Sequence, residues 1–488
     1  MAINLSNSNL ATRENRIGSI TGYVGTLKDL AEKSECGTLK GCSRCFSQSS
    51  TCLSTCGLSQ LAAIRDVAVI HHGPAGCSVA GANSYYMSRV MARKRGVTSN
   101  TIYVGTDMNE NDTIFGSTQA LRDIILEVNK RYKPKAIFVS SSCATGIIGE
   151  DIDSIVDEVR DEVGVPIAAV HCEGFKSRIW ATGFDISDHA VLQEIVRPPR
   201  EGVKTNKINF KNFFESARPE IIEMFKNFDL EPVFLYCNST VEELSHISES
   251  LATTCICGTL GNYLGNGLEE KYGVPYVRSI NQCGIAGFES WLREIGRVTG
   301  RSEKVSKYIE EQRAIYLPQI EEVKKELKGL TAVLGMGPGY TFEVSRVLNE
   351  LGITVKWALA WHYDKKYENG DVPPSMKYLL DNDIDFEASV ADQQNYEVMN
   401  ILKRYKPDMY LSRHPGSTVW AIKNGTPAIY VADEYMIFGY KHTLEFAKTI
   451  ADTIKNRSFE ENLAKRSRLP YTDWWYGQNV DKFLEEAN

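Results

Sequence analysis

Cys52, Cys77 and Cys143 stand at the edges of patterned elements, and their residue type suits metal chemistry. Cys52 opens the stretch CLSTCGLSQLAAIRDVAVIHHGPAGC and Cys77 closes it. Cys143 ends the apolar run AIFVSSSC, and CATGIIGEDI leads on into a helix. Apolar run, turn and helix in succession is the grammar of a parallel α/β sheet, whose ligands gather outside the carboxyl ends of the strands. Thiolates placed there are soft donors suited to iron–sulfur centres. Any one of the three, taken alone, also reads as a small buried hydrophobe.

The elements that must hold these thiols follow the same grammar over 488 residues, a length that calls for several domains. The composition is 43% apolar and 24% charged with a net charge of −7, which argues against a nucleic-acid or anionic-membrane surface as the main partner. No run of about 18 apolar residues is present, and MAINLSNSNLATRENR lacks the apolar stretch of a secretory signal. Twelve cysteines in that setting point to reduced thiols used for metal or redox work. A cytoplasmic, anaerobic redox protein is expected.

Residues 1–60 read as a Cys-rich arm with Cys36, Cys42, Cys45, Cys52 and Cys56, including the C-x2-C of GCSRC, which has no second pair at zinc-finger spacing. A first α/β domain is expected over 61–205, with strands in RDVAVIHHG, NTIYVGTD, KAIFVSSSC and VPIAAVHCEG. FGSTQALRDIILEVNKRY and EDIDSIVDEVRDEVG space their apolar residues as amphipathic helices. PPREG and KTNK read as a linker. A second α/β domain, 206–330, takes its first strand from EPVFLYCNS and a helix from TVEELSHISESLA, capped by Ser239 or Thr240. It then carries the glycine-rich CGTLGNYLGNGLEEKYG and the charged helical stretch SEKVSKYIEEQRAIYLPQIEEVKKELKG. A third, 331–460, opens on LTAVLGMGPGYTFEVSRVLNELGITVKWALAW, and 461–488 is an aromatic-rich tail that docks on a partner or a neighbouring unit. GMGPG lacks the G-x-G-x-x-G spacing of a dinucleotide site.

Taken jointly, HHGPAGC, TDMNENDTIFG, SSSCATGIIGEDI, CEGF and CGTLGNYLGNGLEEKYGVP resemble the landmarks of the nitrogenase component 1 superfamily, in that family's order and most closely its α-type subunit. The resemblance spans about residues 50–450. It implies three Rossmann-like parallel-sheet domains. It also implies that Cys52, Cys77 and Cys143 hold half of a P-cluster-type centre of eight irons and seven sulfurs, shared with a homologous β-type subunit in a heterotetramer. Three thiolates from one chain leave such a cluster unfinished, which agrees with a partner; Cys56 is a rival to Cys52. Cys257 falls on the family's ligand to a large carbide-type iron–sulfur cofactor of unspecified heterometal, with Gly258 and Gly339 beside that cofactor. Cys255, one step off in an extended segment, is expected to face away. Electrons are implied to come from a separate ATP-hydrolysing iron protein with a single cubane cluster, since this chain has no Walker A sequence.

The sequence departs from the nitrogen-reducing members at the substrate side. Their second cofactor ligand, a histidine, falls on Ala432, with Asp433 and Glu434 adjacent; their pocket glutamine and histidine fall on Trp180 and Phe184. His414 and His362, both after strands, are the candidates to replace the lost donor. His71 and His72 sit beside Cys77, where one of the two imidazoles is expected to order the cluster loop, while the role of His171, before Cys172, stays open. Aromatic walls suit an organic substrate with an apolar part. The expected activity is that of a nitrogenase-like reductase such as methylthio-alkane reductase, cleaving carbon–sulfur bonds. A cofactor-assembly scaffold is the first rival, and a genuine nitrogenase or a dark-operative tetrapyrrole reductase comes after it.

Overall fold

The computed structural model describes residues 3–8, 19–40, 42–44, 52–177, 179–212, 216–278, 281–364, 372–391, 395–479 and 484–486. Cys45 lies outside them. The chain forms two compact units, Met1–Arg16 with Thr51–Val277, and Ile17–Ser50 with Arg278–Asn488.

In the first unit, α1 (Leu53–Leu61) leads to β1 (Val67–His71), α2 (Ala75–Lys94), β2 (Ile102–Gly105) and α3 (Thr118–Tyr132). Then come β3 (Ala136–Ser140), α4 (Cys143–Ile148), α5 (Ile152–Val163), β4 (Ile167–Val170) and α6 (Thr182–Glu194). The four strands form a parallel sheet in the order β2-β1-β3-β4. Buried parallel strands read as unbroken apolar runs because helices cover both faces. Alternation inside those runs sorts the faces: Val69, Phe138 and Ala168 join one core, and Ile70, Ile137 and Val139 the other. Truncating fully buried Phe138 to Ala would cost about 3–5 kcal/mol. The helix α5 shows why the sequence folds locally. Asp151 accepts from the Ser154 N–H at 3.0 Å, Ile152, Ile155, Val156, Val159 and Val163 supply one apolar face, and Gly164 ends it at φ +67°.

The same unit continues with β5 (Lys207–Lys211), α7 (Arg218–Lys226), β6 (Glu231–Leu235), β7 (Ala252–Cys255) and α8 (Gly258–Tyr272). Its second parallel sheet runs β7-β5-β6. The central strand, KINFK, precedes the EPVFLYCNS strand expected to open this part of the chain, and starts where the PPREG–KTNK linker ends. Its polar residues are buried because they are satisfied inside: Asn209 donates to Ile247 O at 2.9 Å and accepts from Ser250 Oγ at 2.9 Å. The helix expected over TVEELSHISESLA is also shorter. Thr240 caps only Val241–Ser245, a 3-10 turn follows at Ile247–Glu249, and Ala252 already begins β7.

The second unit contains α9 (Gly284–Thr299), α10 (Ser302–Leu327), β8 (Thr331–Met336), α11 (Pro338–Glu350), β9 (Thr354–Ala360), β10 (Glu387–Ala391), β11 (Met409–Ser412), α12 (Pro415–Lys423), β12 (Ala428–Tyr430) and α13 (Gly439–Lys455). The charged stretch is one 26-residue helix, α10, with Pro318 inside it. The sheet order is β12-β11-β8-β9-β10, all parallel, closed at one edge by an antiparallel strand from the N-terminal arm, Gly22–Thr26. The C-terminal aromatic segment docks on this unit: Asn400 donates to Trp475 O at 2.9 Å and Tyr471 packs on Trp420. Among the described residues no helix is long and apolar enough to cross a membrane.

Candidate metal-cluster sites

β1 and β3 are adjacent, and the chain leaves them toward opposite edges of the sheet, which opens a crevice at their carboxyl ends. Cys77 lies in the first turn of α2 after β1, and Cys143 is the first residue of α4 after β3. Cys52 is the N-cap of α1, its Sγ accepting from the Ser54 N–H at 3.4 Å. Gly174, in the turn after β4, ties two of them together. Its N–H donates to Cys143 Sγ at 3.2 Å, and a Cβ there would stand 2.7 Å from Cys52 Sγ and 3.3 Å from Cys143 Sγ. Burial pushes the Cys77 thiol up, and the nearby Cys143 and Cys52 push it further. Three thiols gathered at helix N-termini are an arrangement suited to a cation, which would favour their deprotonated form. Three soft thiol donors gathered at one crevice are a set that fits an iron–sulfur centre.

The rival Cys56 is buried, and its Cβ lies 2.9 Å from where a Cβ at Gly183 would stand. Burial pushes its thiol and that of Cys172 well up. His71 is fully buried, with Nδ1 2.8 Å from Ser140 Oγ, and desolvation followed by the charge of His72 brings it down to about 4. His72 joins Thr106 Oγ1 at 3.0 Å to the Glu150 carboxylate, which also holds Ser117. His171 contacts Asp153 at 2.9 Å and Glu173 at 3.4 Å. Burial alone would lower its pKa, yet the hydrogen bonds and charges of those two carboxylates win and raise it to about 9.

Cys257 is 3% exposed and is the N-cap of α8, with Gly258 buried as the first helical residue. The helices α6 and α8 pack in the same direction: His189 meets Tyr263 at 2.7 Å, and one turn on a Cβ at Gly267 would meet Leu192 at 2.4 Å. The two helices therefore start at the same end of the pair, at Thr182 and Gly258. Trp180 and Phe184 meet edge to face at 6.0 Å and 67° at that end of α6. Trp180 Nε1, Thr259 Oγ1 and Asn262 Oδ1, near these helix starts, are buried polar atoms with no hydrogen-bond partner. Orphans of this kind are rare in native folds and call for a ligand, so the residues fit a large group anchored on Cys257. Cys255 faces the other way, its sulfur 2.8 Å from the Tyr276 hydroxyl.

Sequence reasoning missed Lys211, the last residue of β5. It is completely buried, 2.6 Å from Asp188 Oδ1, 3.2 Å from Gln60 Oε1 and 3.5 Å above the Tyr236 ring. No local pattern marks a lysine for burial; a strand ending in Lys beside a cysteine-tipped strand was the available hint.

In the second unit the corresponding switch point falls between β8 and β11. Gly339 is the second residue of α11 after β8, and His414 is the N-cap of α12 after β11. His414 Nδ1 accepts from the Ser417 N–H at 3.1 Å, which leaves Nε2 as the ring nitrogen that could reach a ligand, and burial lowers its pKa. His362 is 2% exposed, between β9 and the short strand Tyr363–Asp364. Ala432 is exposed just after β12 and offers no donor.

The family model described as nitrogenase component 1 type oxidoreductase matches residues 52–455. The nitrogenase molybdenum-iron protein alpha chain of Clostridium pasteurianum is 27% identical over 350 residues, covering 69% of this chain and 64% of its own length. The nitrogenase iron-molybdenum cofactor biosynthesis protein NifE of Methanococcus maripaludis is 26% identical over 404 residues, 79% of each chain. A solved structure, nitrogenase Cp1 at pH 5, superposes with a TM-score of 0.68 at 20% identity over 88% of this chain and 92% of its own. On the strength of the family match, which takes in the cysteine crevice, Cys257 and the His414 turn, the chain belongs to the nitrogenase component 1 type oxidoreductases.

Proposed function

We propose that this chain is the α-type catalytic subunit of a nitrogenase-like reductase acting on a substrate other than dinitrogen, with methylthio-alkanes as the substrate class. The observation that carries the reading is the meeting of Cys52 and Cys143 on Gly174, with Cys77 beside them. The segments that bear this crevice also expose large apolar side chains: Val79 and Tyr86 on α2, Ile147 on α4 and Phe175 next to Gly174. Ile114 and Phe115, on the helix packed against α4, are 71% and 83% exposed. Apolar surface of that extent is a partner's seat, and a homologous β-type subunit supplying the remaining thiolates would cover it. Cys257 would hold the second, cofactor-type centre. Such iron–sulfur groups supply low-potential electrons and the bond-breaking site.

The chain's own share is to bind, orient and keep water out. Trp180 and Phe184 replace hydrogen-bonding side chains by an aromatic wall, which favours a substrate with methyl or alkyl parts. The test is to supply the purified complex with reductant, ATP, its iron protein and a volatile methyl thioether. Methanethiol and hydrocarbon are expected; neither product, from a complex carrying full iron, removes this substrate class.

A second reading, a cofactor-assembly scaffold, is favoured by the likeness to NifE over 79% of both chains and by the missing donor at Ala432. A scaffold releases its bound cofactor to an acceptor protein and turns over no substrate, so transfer without turnover decides for it.

A further inference from the structure

The second sheet has its own switch point, between β5 and β7, and Lys211 stands there opposite Cys255. The Ile256 N–H donates to Lys211 O at 3.2 Å, so the backbone of Lys211 runs beside the step that leads to Cys257. Its side chain lies under the first turn of α8: a Cβ at Gly261 would come within 3.2 Å of Lys211 Cγ and 2.5 Å of Cys255 Cβ. The ammonium then reaches Asp188 on α6, one turn after Phe184, and Gln60 on α1, the helix that starts at Cys52. Tyr236 donates to the same Asp188 Oδ1 at 2.8 Å, while Asp188 Oδ2 is buried with no hydrogen-bond partner.

A buried ion pair is seldom there for stability, because desolvation consumes what attraction supplies and an apolar pair of equal volume does as well. This one is wholly enclosed, spans elements that start at both candidate centres, and keeps one carboxylate oxygen open. The charged or titratable groups facing it are few: Asp185 on its own helix, Tyr236 and Cys237 after β6, and Cys255 on β7. We propose that the Lys211–Asp188 pair takes up one proton each time the centre anchored on Cys257 gains one electron. This rests on the reading of Cys257 as a cofactor ligand. The electron comes from a low-potential one-electron donor and the proton from solvent. The proton goes to the open Oδ2, so the pair passes from net zero to net +1 as the centre gains one negative charge. Neither residue is a ligand. Burial, then Asp185, hold the Asp188 carboxyl above the ordinary carboxylate range against the pull of Lys211, and burial lowers Lys211. A new negative charge nearby raises such a carboxyl further.

The experiment is a dye-mediated titration of the holo-complex with dithionite, followed by electron paramagnetic resonance from pH 6 to 8. The expected midpoint of the Cys257 centre falls with the slope of one proton per electron in the wild type and in Asp188→Glu, and is flat in Asp188→Asn and Lys211→Met. A carboxylic C=O stretch should appear in the reduction-induced infrared difference spectrum of the wild type, a readout that needs no variant to fold. A flat wild-type slope, or an unchanged slope in Asp188→Asn with full iron, overturns the inference while leaving the centre in place. Absence of any iron signal dependent on Cys257 overturns the parent reading and this one together.

Discussion

Gly174 donates its backbone N–H to Cys143 Sγ at 3.2 Å while leaving the space a side chain would take to Cys52 Sγ. The requirement for glycine is one of room, since a Cβ would sit 2.7 Å from that sulfur. Gly174→Ala should therefore push Cys52 and Cys143 apart and cut iron at this centre several-fold. The apo-protein should lose only about 1–3 kcal/mol, as overpacking does. Iron analysis beside thermal melts separates the two; normal iron in Gly174→Ala contradicts the shared site.

Serine at Cys77 or Cys143 should abolish the cluster signal and the association with the β-type subunit. Cys56→Ser should keep both, because that residue is buried with its Cβ against Gly183. Size-exclusion chromatography with iron and protein quantified reads the outcome.

Cys257→Ala should remove the second centre and spare the first. Its sulfur belongs to the start of α8, whereas the other three belong to α1, α2 and α4. Loss of both signals together would mean that one fold-wide defect, not separate ligation, explains the result.

His171 makes a pH prediction for the apo-protein. Its pKa is about 9 in the fold against an ordinary 6.5, with Asp153 and Glu173 outweighing burial. A raised folded pKa stabilises fully below the unfolded value and loses that contribution as pH rises through the folded one. The melting temperature should accordingly decline from about pH 6.5 toward pH 9 in the wild type, and this component should vanish in His171→Gln. Equal declines in both proteins would assign the effect elsewhere.

Much of the fold was legible because parallel strands buried on both faces leave unbroken apolar runs: VAVIH, AIFVS and IAAV are strands where their composition places them. Strand-end cysteines were equally visible, since the turn that follows a parallel strand is short and its residues reach the crevice by necessity. Local pattern could not show KINFK as a central strand, because Asn209 and Lys211 become compatible with burial only through partners more than twenty residues away. Nor could it show that Gly22–Thr26 leaves the N-terminal arm to close a sheet built from residues 331–430.

By itself, then, the sequence determined the α/β grammar and the thiols that end its strands, which depend on residue type and short-range periodicity. Only the tertiary structure decided that Cys52 meets Cys143 across Gly174, that α6 and α8 pack in the same direction, and that Lys211 and Asp188 are enclosed together. Those are relations between segments distant in the chain, fixed by which helix faces pack and by where buried polar atoms find each other.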